Sequence, residues 1–477
     1  MIKTRIAPSP TGKLHIGTAR TALFNYLYAK NQQGKFVIRI EDTDIARSTK
    51  ESEQDIIEGL EWLGLIPDEG VSSQGELGDL GPYRQSQRAD TYRPYLEQLL
   101  SSGDAYWCNL TEAELENLKS QAEQEQRQFV LRSPYREQKI QPTEKSVLRF
   151  KVPDTKIIFE DKIKGKIEFD TSLLGDFVIA KNLDYPLYNF VVVIDDELMQ
   201  ITHIIRGDDH VANTPKQILI NQALGFKTKQ FAHLPLILAP DKSKMSKRFG
   251  ATAIREYQEQ GYLPEALINF LALLGWNEGN DREYYTLSEI IAKFSLKRVQ
   301  KSGAIFNIQK LDSINAHYIK QLSQEKQLEL GREYLLKNGF DLGQLTKKQL
   351  NQIIKLEIQR IKKFADIGKE IDFFWRQPEY DSQILAYKSM STVDISSSLE
   401  WSERLLYNIE DTDLDNIEQI IKNAIQKDNK QTGEILWPLR VALSGKEKSP
   451  SPFEIIAILG KEETIRRIQY AIKIIIK

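Results

Sequence analysis

The start of the chain alternates between strand-like and helix-like segments, and this alternation limits the fold more than any other feature. Residues Ile2–Ala7 are predicted to form a short strand, and apolar residues from Thr18 to Asn31 recur at helical spacing. A second strand pattern, Phe36–Ile40, and a second helical pattern ending near Leu63 follow. This order predicts an α/β domain with a Rossmann-like parallel sheet. Such sheets bind their ligands at the carboxyl ends of the strands.

At 477 residues the chain is longer than one hydrophobic core usually serves. Strand patterns resume at Met199–Ile205 and Phe231–Leu238, and helical patterns dominate after about Lys320. The patterns predict four regions: a Rossmann-like domain over 1–84 and 186–240, a mixed α/β insertion over 85–185, a connecting domain over 241–322, and an all-helical region over 323–477 that consists of two subdomains.

Composition excludes several classes of protein. Hydrophobic residues make up 41% and charged residues 28% of the chain, which is typical of a globular protein rather than a disordered one. The single cysteine, Cys108, cannot form an intrachain disulfide or a multi-thiolate metal site. The first residues show no signal-peptide pattern, and no apolar stretch is long enough to span a bilayer. We therefore expect a cytoplasmic protein.

The overall charge does not suggest a nucleic-acid partner, but its distribution is uneven. The formal net charge is -2. Between Lys293 and Lys363, however, about fifteen Lys and Arg stand against about six Asp and Glu. Taken alone, such an excess more often reflects solvated helix faces, and it becomes a candidate phosphate-binding surface only if other features point to RNA.

A turn-rich segment, Pro8–Gly17, joins the first predicted strand to the first predicted helix. His15 and Gly17 lie at its helical end. Backbone N–H groups and the dipole at a helix N-terminus favour anions, and a glycine lets a phosphate approach closely. The imidazole of His15 can donate to a phosphate oxygen. Taken alone, such a histidine more often caps a helix or lies in a core.

A cationic loop follows the strand pattern that ends near Leu238. Within Asp241–Arg248 there are four cations, and Lys244 and Lys247 are suited to neutralise pyrophosphate as it leaves an α-phosphorus. A basic loop alone is usually just solvated. Because the same chain also has the His15 segment, the two together predict a site that binds a nucleoside triphosphate from two sides.

Charged residues at the ends of predicted strands indicate the second substrate. The acidic run Glu41–Asp44 follows the second strand, and its carboxylates suit an ammonium group or ribose hydroxyls. Arg5 and Arg206 lie on two other strands that reach the same edge of the sheet. Each arginine alone fits a surface ion pair, whereas together they predict a substrate with carboxylate groups.

With these motifs in place, the chain resembles the class I aminoacyl-tRNA synthetases, and within them the bacterial-type glutamyl-tRNA synthetases. The resemblance covers essentially the whole chain and is carried by these segments: Arg5–Thr18, Arg39–Asp44, Thr202–His210, Lys244–Arg248, Leu436–Gly445 and Ser451–Glu454.

The resemblance implies an enzyme that activates L-glutamate with ATP and Mg²⁺ to glutamyl-adenylate and transfers it to the 3′-terminal adenosine of tRNA-Glu. It implies that the insertion holds the acceptor end, that the helical region reads the anticodon, and that the enzyme is a monomer. The residue roles it implies are: catalysis by His15, Lys244 and Lys247; ATP binding by Ser9, His15, Gly17, Thr18, Asp209, Lys244 and Lys247; glutamate binding by Arg5, Ser9, Glu41, Tyr188 and Arg206; and contact with the tRNA 3′ end by Asp44.

The chain departs from the family pattern at two points. Thr18 stands where many class I enzymes have a second histidine in this motif. Some relatives hold zinc in the insertion, but Cys108 has no matching Cys or His beside it, so we expect no zinc.

Alternatives to this interpretation remain open at the level of the sequence. A small-molecule nucleotidyltransferase of the same superfamily shares the histidine loop, and a glutaminyl enzyme or a non-catalytic RNA-binding relative shares other parts. A helical C-terminal region disfavours the first two. Charging of tRNA-Gln in addition to tRNA-Glu depends on a few side chains in that region, and Gln359 and Arg360 are candidates.

Overall fold

The fold is described from a computed structural model, which describes residues 1–44, 46–243, 245, 252–409 and 413–476. The chain forms two compact units. The first contains residues 1–259 and 263–314, and the second contains residues 260–262 and 315–477.

The first unit mixes strands and helices. Its elements are β1 (Lys3–Ile6), α1 (Ile16–Asn31), β2 (Lys35–Ile38), α2 (Lys50–Trp62), β3 (Glu69–Ser72), β4 (Gly75–Leu77), α3 (Ala89–Ser102), β5 (Ala105–Cys108), α4 (Glu112–Gln124), β6 (Val147–Phe150), β7 (Lys156–Asp161), β8 (Gly165–Asp170), β9 (Val178–Ala180), α5 (Tyr188–Leu198), β10 (His203–Gly207), α6 (Thr214–Ala223), β11 (Gln230–Leu234), β12 (Ile237–Leu238), α7 (Ile254–Glu259), α8 (Pro264–Leu273), α9 (Leu287–Lys293), β13 (Ala304–Ile305) and the start of α10 (Ile308–Gln321).

The second unit is helical throughout the residues that the structure describes. After the end of α10 it contains α11 (Gln324–Lys337), α12 (Lys347–Ile358), α13 (Thr392–Tyr407), α14 (Leu414–Lys427), α15 (Thr432–Ser444), α16 (Pro452–Leu459) and α17 (Lys461–Ile476).

Parallel strands form the centre of the first unit, as the alternating pattern predicts. One sheet has the order β1-β2-β3-β4, in which β1, β2 and β3 are parallel. A second has the order β10-β11-β7-β8, in which β10, β11 and β7 are parallel. The sheets meet at β1 and β10, where the backbone N–H of Thr202 donates to Lys3 O at 3.0 Å. The strand order reverses there, and open α/β sheets bind ligands at such a reversal.

A separate antiparallel sheet, β5-β6-β9, lies within the predicted insertion. The hairpin of β7 and β8 falls in the same range of the sequence, yet β7 pairs with β11 at the edge of the second parallel sheet. The insertion therefore contributes directly to the central sheet. The domain boundaries themselves stay predictions.

Two strand predictions differ from the structure. The strand expected at Met199–Ile205 begins only at His203, because α5 runs to Leu198 and Met199 follows as its C-terminal cap. The strand expected at Phe231–Leu238 is divided into β11 and β12, which join different sheets. Pro235 lies between them, and a proline has no backbone N–H for a sheet hydrogen bond.

Apolar stripes on helices build the core of the second unit. On α14, the buried side chains are Ile417, Ile421 and Ile425, spaced four residues apart. Each contributes about 1.5–3 kcal/mol when fully buried. The last helix, α17, buries Ile468 and Ala471 in the same core. Among the described residues, no helix has both the length and the apolar character needed to cross a membrane.

Candidate active site

A pocket of about 660 Å³ opens at the carboxyl ends of β1 and β10. Its size suits a small-molecule substrate. The pocket brings together predicted site residues that are far apart in the sequence. Those that line it are Arg5, Ser9, His15, Gly17, Thr18, Glu41, Tyr188, Arg206 and Asp209.

His15 is the N-terminal cap of α1, which begins two residues earlier than the Thr18 start of the helical pattern. Its backbone is extended, with φ -81° and ψ 148°, and its Nδ1 accepts the backbone N–H of Gly17 at 3.2 Å. Because Nδ1 accepts, the neutral ring carries its proton on Nε2. The cap interpretation and the catalytic interpretation are therefore compatible, because capping uses Nδ1 and places the ring proton on Nε2, a donor that suits a phosphate oxygen.

The chain returns to this helix end after the cationic loop. Ile16 N donates to Thr252 O at 2.8 Å, and Ile254 N donates to Leu14 O at 2.9 Å. Within the loop, Met245 lines the pocket and its backbone N–H donates to Ile237 O at 3.2 Å. Segments on both sides of 246–251 are thus bonded to the pocket walls.

Lys244 and Lys247, which the sequence predicts to be catalytic and ATP-binding residues, lie outside the described residues. Their roles stay predictions.

A buried ion network forms one wall of the pocket. Arg5 Nε donates to Asp196 Oδ1 at 3.1 Å, and Arg39 Nη1 donates to the same oxygen at 2.7 Å. Arg39 Nη2 also donates to Glu41 Oε1 at 3.2 Å. Burial opposes ionisation of Asp196, but the charges of Arg5 and Arg39 outweigh burial and lower its pKa. The network therefore fixes Arg5 and Glu41 at the pocket edge.

The pKa of Glu41 is shifted in the opposite direction from that of Asp196. Burial raises the pKa of Glu41, although Arg39 and Arg5 act in the opposite direction. A further cation bound beside this buried carboxylate would stabilise its ionised form. Glu41 is thus suited to receive an ammonium group.

Arg206 is a buried cation, and its side-chain hydrogen bonds to the described residues all go to uncharged groups. Its Nη1 donates to Gln217 Oε1 at 2.8 Å, its Nη2 to Thr214 Oγ1 at 2.7 Å, and its Nε to His233 Nε2 at 3.3 Å. Among the described residues no carboxylate lies within ion-pair distance of Arg206. Burial lowers its pKa to about 10. A buried guanidinium without a counterion is costly, and a bound carboxylate would relieve that cost.

Tyr188 lines the pocket and is the first residue of α5. Its hydroxyl is 3.1 Å from His210 Nδ1. Burial raises the pKa of Tyr188, and burial together with Arg206 lowers the pKa of His210 to about 4. Both groups are therefore neutral near pH 7 and act as hydrogen-bonding groups.

The acidic run Glu41–Asp44 does not act as one cluster. Only Glu41 lines the pocket. Asp42 accepts from Ser86 N at 2.8 Å, and Asp44 pairs with Arg47 at 2.5 Å on the surface. The role of Asp44 at the tRNA 3′ end stays a prediction.

The groups that hold the predicted residues in place are not among the residues predicted from the sequence. Asp196 and Arg39 orient Arg5 and Glu41, and Thr214, Gln217 and His233 surround Arg206. A signal for Asp196 existed, because Asp195–Asp196 interrupts the apolar run of α5, and carboxylates in such a run are paired when buried.

Comparison with known proteins agrees with this geometry. Residues 1–313 match the family described as "tRNA synthetases class I (E and Q), catalytic domain", and residues 320–472 match "Anticodon binding domain". The glutamate–tRNA ligase of Natranaerobius thermophilus is 41% identical over 98% of this chain and 97% of its own length. That of Carboxydothermus hydrogenoformans is 42% identical over 98% and 99%.

The chain belongs to the class I tRNA synthetases, in the glutamate–tRNA ligase family. A solved structure supports the same assignment for this synthetase: the glutamate tRNA ligase of Elizabethkingia meningosepticum, described as being in complex with its amino acid, has a TM-score of 0.88 at 34% identity and covers 99% of each chain. The predicted fold class and the predicted enzyme class, an aminoacyl-tRNA synthetase, are thereby confirmed.

Proposed function

We propose that this synthetase activates L-glutamate with ATP to glutamyl-adenylate and transfers glutamate to the 3′-terminal adenosine of tRNA-Glu. One observation carries the choice of amino acid: Arg206 is buried in the pocket, and no described carboxylate pairs with it. A side-chain carboxylate supplies the missing charge. Glutamine would leave the guanidinium short of its partner, at a cost of about 3–5 kcal/mol, or more than about a hundredfold in discrimination.

The pocket offers a matching group for each charge of glutamate. Arg206 and Arg5 would bind the two carboxylates, and Glu41 would bind the α-ammonium group. Tyr188 and Ser9 line the same pocket and complete the set of hydrogen-bonding groups. Bidentate arginine contacts would orient the α-carboxylate toward ATP, and orientation of this kind supplies a large part of catalysis.

ATP would bind at the N-terminus of α1. His15 Nε2–H and the helix end would hold phosphate oxygens, and Gly17, which has no side chain, lets a phosphate approach the helix end closely. Thr18 and Asp209 line the adjoining wall. Lys244 and Lys247 would neutralise the departing pyrophosphate.

The residues present fit Mg²⁺ as an ion that arrives with ATP. Within the described part of the chain, no three His, Cys, Asp or Glu side chains could hold a metal by themselves. Mg²⁺ commonly binds one or two carboxylates together with phosphates and water. Asp209, an exposed carboxylate at the pocket, is the residue that would hold it, and the bound ion would supply positive charge at the phosphates.

The match of residues 320–472 to an anticodon-binding domain supports tRNA as the acceptor of glutamate. In this proposal Asp44 lies near the tRNA terminus, the insertion holds the acceptor end, and the enzyme works in the cytoplasm as a monomer.

The test is charging of purified tRNA-Glu and tRNA-Gln with labelled glutamate, together with glutamate-dependent pyrophosphate exchange with and without tRNA. Charging of tRNA-Glu is the expected result. Additional charging of tRNA-Gln would extend the substrate range to both tRNAs. Adenylate formation without charging of either tRNA would overturn the proposal in favour of a small-molecule nucleotidyltransferase.

A pair of variants tests the observation that carries the proposal. Arg206→Lys keeps the charge but loses the bidentate geometry, so glutamate activation should fall at least about tenfold. Arg132→Lys is the control, because Arg132 pairs with Asp154 at 2.8 Å and does not line the pocket. Equal activity of the two variants would contradict the assignment of Arg206.

A further inference from the structure

Behind Arg206 lie two buried titratable side chains, Asp161 and His233, that the proposed reaction does not use. Asp161 is the last residue of β7. His233 lies on β11, in register with Arg206 on β10. The side chains of Asp161 and His233 are both 0% exposed, and Asp161 Oδ2 lies 2.7 Å from His233 Nδ1.

The hydrogen bonds of Asp161 determine which nitrogen of His233 carries the proton. Its Oδ1 accepts the backbone N–H groups of Ile163 at 2.9 Å and Lys164 at 2.8 Å. Burial opposes ionisation, but the hydrogen bonds from His233, Lys164 and Ile163 outweigh burial and lower the pKa of Asp161. Because an ionised carboxylate only accepts, the Nδ1 of His233 must be its donor.

The other nitrogen of His233 therefore carries a lone pair. Burial lowers the pKa of His233, although its hydrogen bond to Asp161 acts in the opposite direction, so the ring is neutral near pH 7. Its Nε2 lies 3.3 Å from Arg206 Nε and 3.0 Å from Thr214 Oγ1. A guanidinium only donates, so the Arg206 Nε–H requires this lone pair.

The second anchor of Arg206 has a fixed orientation as well. Gln217 accepts from Arg206 through Oε1, while its Nε2 donates to Asn189 Oδ1 at 3.1 Å. With the bond to Thr214, each of the three side-chain nitrogens of Arg206 donates one N–H to a described residue. Two of the five N–H groups remain for a ligand.

We propose that Asp161 and His233 are positioning residues that hold the Arg206 guanidinium in the plane in which it binds the substrate carboxylate. Asp161 selects the His233 tautomer whose Nε2 accepts from Arg206. The opposite tautomer would place an N–H against an N–H and turn the guanidinium away. The inference rests on the proposed function and concerns selection of glutamate, since neither residue lines the pocket.

Two substitutions of His233 separate positioning from simple packing. His233→Gln places an amide near the position of Nε2 and keeps an acceptor for Arg206. His233→Asn keeps a donor for Asp161 but loses that acceptor. We expect His233→Asn to raise the KM for glutamate by about 10-fold to 100-fold, the range for a lost hydrogen bond to a charged group. The KM for ATP should stay unchanged, and His233→Gln should recover most of the loss.

The measurement is pyrophosphate exchange, with glutamate and with glutamine, on full-length variants whose thermal unfolding is compared with the wild type. A smaller preference for glutamate over glutamine in His233→Asn supports the inference. Equal KM values for glutamate in the Asn and Gln variants, or parallel changes in the KM for ATP, would overturn it.

Asp161→Asn tests the tautomer directly. The side-chain oxygen of the introduced asparagine would stay with the backbone donors of Ile163 and Lys164, so its NH₂ would face Nδ1 of His233 and move the ring proton to Nε2. The ¹⁵N shifts of the imidazole report this change, and the chain has only 5 histidines, so the His233→Gln spectrum assigns the signal. Should Asp161→Asn fail to fold, the wild-type spectrum alone decides, because an Nε2–H tautomer there contradicts the proposal.

The outcome for the wild type separates this inference from the proposed function. A wild-type enzyme that does not activate glutamate would refute the function. Normal wild-type activation combined with unaltered His233→Asn kinetics would refute only the positioning role.

Discussion

Asp196 is the carboxylate on which two buried arginines of the pocket wall depend. It accepts from Arg5 and from Arg39, and its side chain is 3% exposed. If Asp196 loses its charge, two buried guanidinium groups lose a counterion. The free-energy cost of those uncompensated charges is larger than the net stability that the intact ion pairs provide.

Asp196→Asn should therefore destabilise the protein by about 3–5 kcal/mol while keeping the side-chain volume. Urea unfolding of the purified variant gives the free energy of unfolding. Asp184→Asn serves as the control, because Asp184 pairs with Arg93 at 2.8 Å on the surface, and little change is expected. A stability of Asp196→Asn equal to that of the control would show that the network is not needed for folding.

The lowered pKa of His203 should make the free energy of unfolding depend on pH. Burial, assisted by Lys162, lowers its pKa from 6.5 to about 4. Between these values the unfolded chain binds a proton that the folded protein excludes, so stability falls as the pH falls from 6.5 toward 4. His203→Gln, which cannot titrate, should lose less stability over this window. Urea unfolding at several pH values checks the slope, and parallel curves for variant and wild type would contradict the assignment.

At this scale the sequence predicts which residue types a site contains better than it predicts how they are held. Arg5, Glu41 and Arg206 can be recognised because they are charged residues that lie on strand patterns or directly after one. Their partners cannot: Asp196 is 191 positions from Arg5, and such pairing depends on how distant segments pack. The roles of the pocket residues in binding substrate stay predictions.

The contact between α11 and α12 in the second unit depends on a glycine. Gly331 on α11 faces Ile354 on α12, and a Cβ at this glycine would stand 2.5 Å from Ile354 Cγ2. That distance is too short for any real contact between carbons, so the two helices approach each other only because position 331 is glycine.

Gly331→Ala should destabilise the protein by about 1–3 kcal/mol through overpacking, even though alanine favours a helix by about 1 kcal/mol over glycine. Thermal unfolding measures the effect. Ile354→Ala removes the clashing atoms, so the double variant should lose less stability than the sum of the single variants. An additive double variant would show that the close approach is relieved elsewhere.

Element types follow from the periodicity of apolar residues, whereas element ends depend on local chemistry. The patterns place α1, β1 and β2, and they predict that the second unit is helical without locating its separate helices. They misplace the start of β10, because Met199 and Ile201 are buried and alternate with polar residues as the residues of a strand do. They also miss the division of β11 from β12, although Pro235 marks the point.

At the scale of the whole molecule, the enzyme must bind a large anionic partner despite a net charge of -2. The basic excess between Lys293 and Lys363 is the part of the sequence best suited to this. Within it, Lys347, Lys348 and Lys355 are exposed on α12. Phosphate contacts of this kind raise affinity without sequence preference and weaken with salt.

Replacement of these three lysines by glutamine should raise the KM for tRNA and leave the KM for glutamate unchanged. The slope of log affinity against log salt should become shallower by about 0.7–0.9 for each phosphate that the variant no longer neutralises. The charge-matched control is the triple variant in which glutamine replaces Lys422, Lys427 and Lys430. These lysines are exposed but lie outside the basic stretch. Equal salt slopes for both triple variants would place the tRNA backbone elsewhere.

The hairpin of β7 and β8 has a consequence for engineering this enzyme. It belongs by sequence to the inserted stretch, yet Asp161 at its turn is hydrogen-bonded to His233 in the central sheet. A chimera that exchanges the whole stretch 85–185 with a relative's would therefore replace part of the support beneath Arg206. A chimera that is meant to change acceptor-end recognition but not the choice of amino acid therefore needs other crossover points. These must keep residues 156–170 of this chain together with its own central sheet.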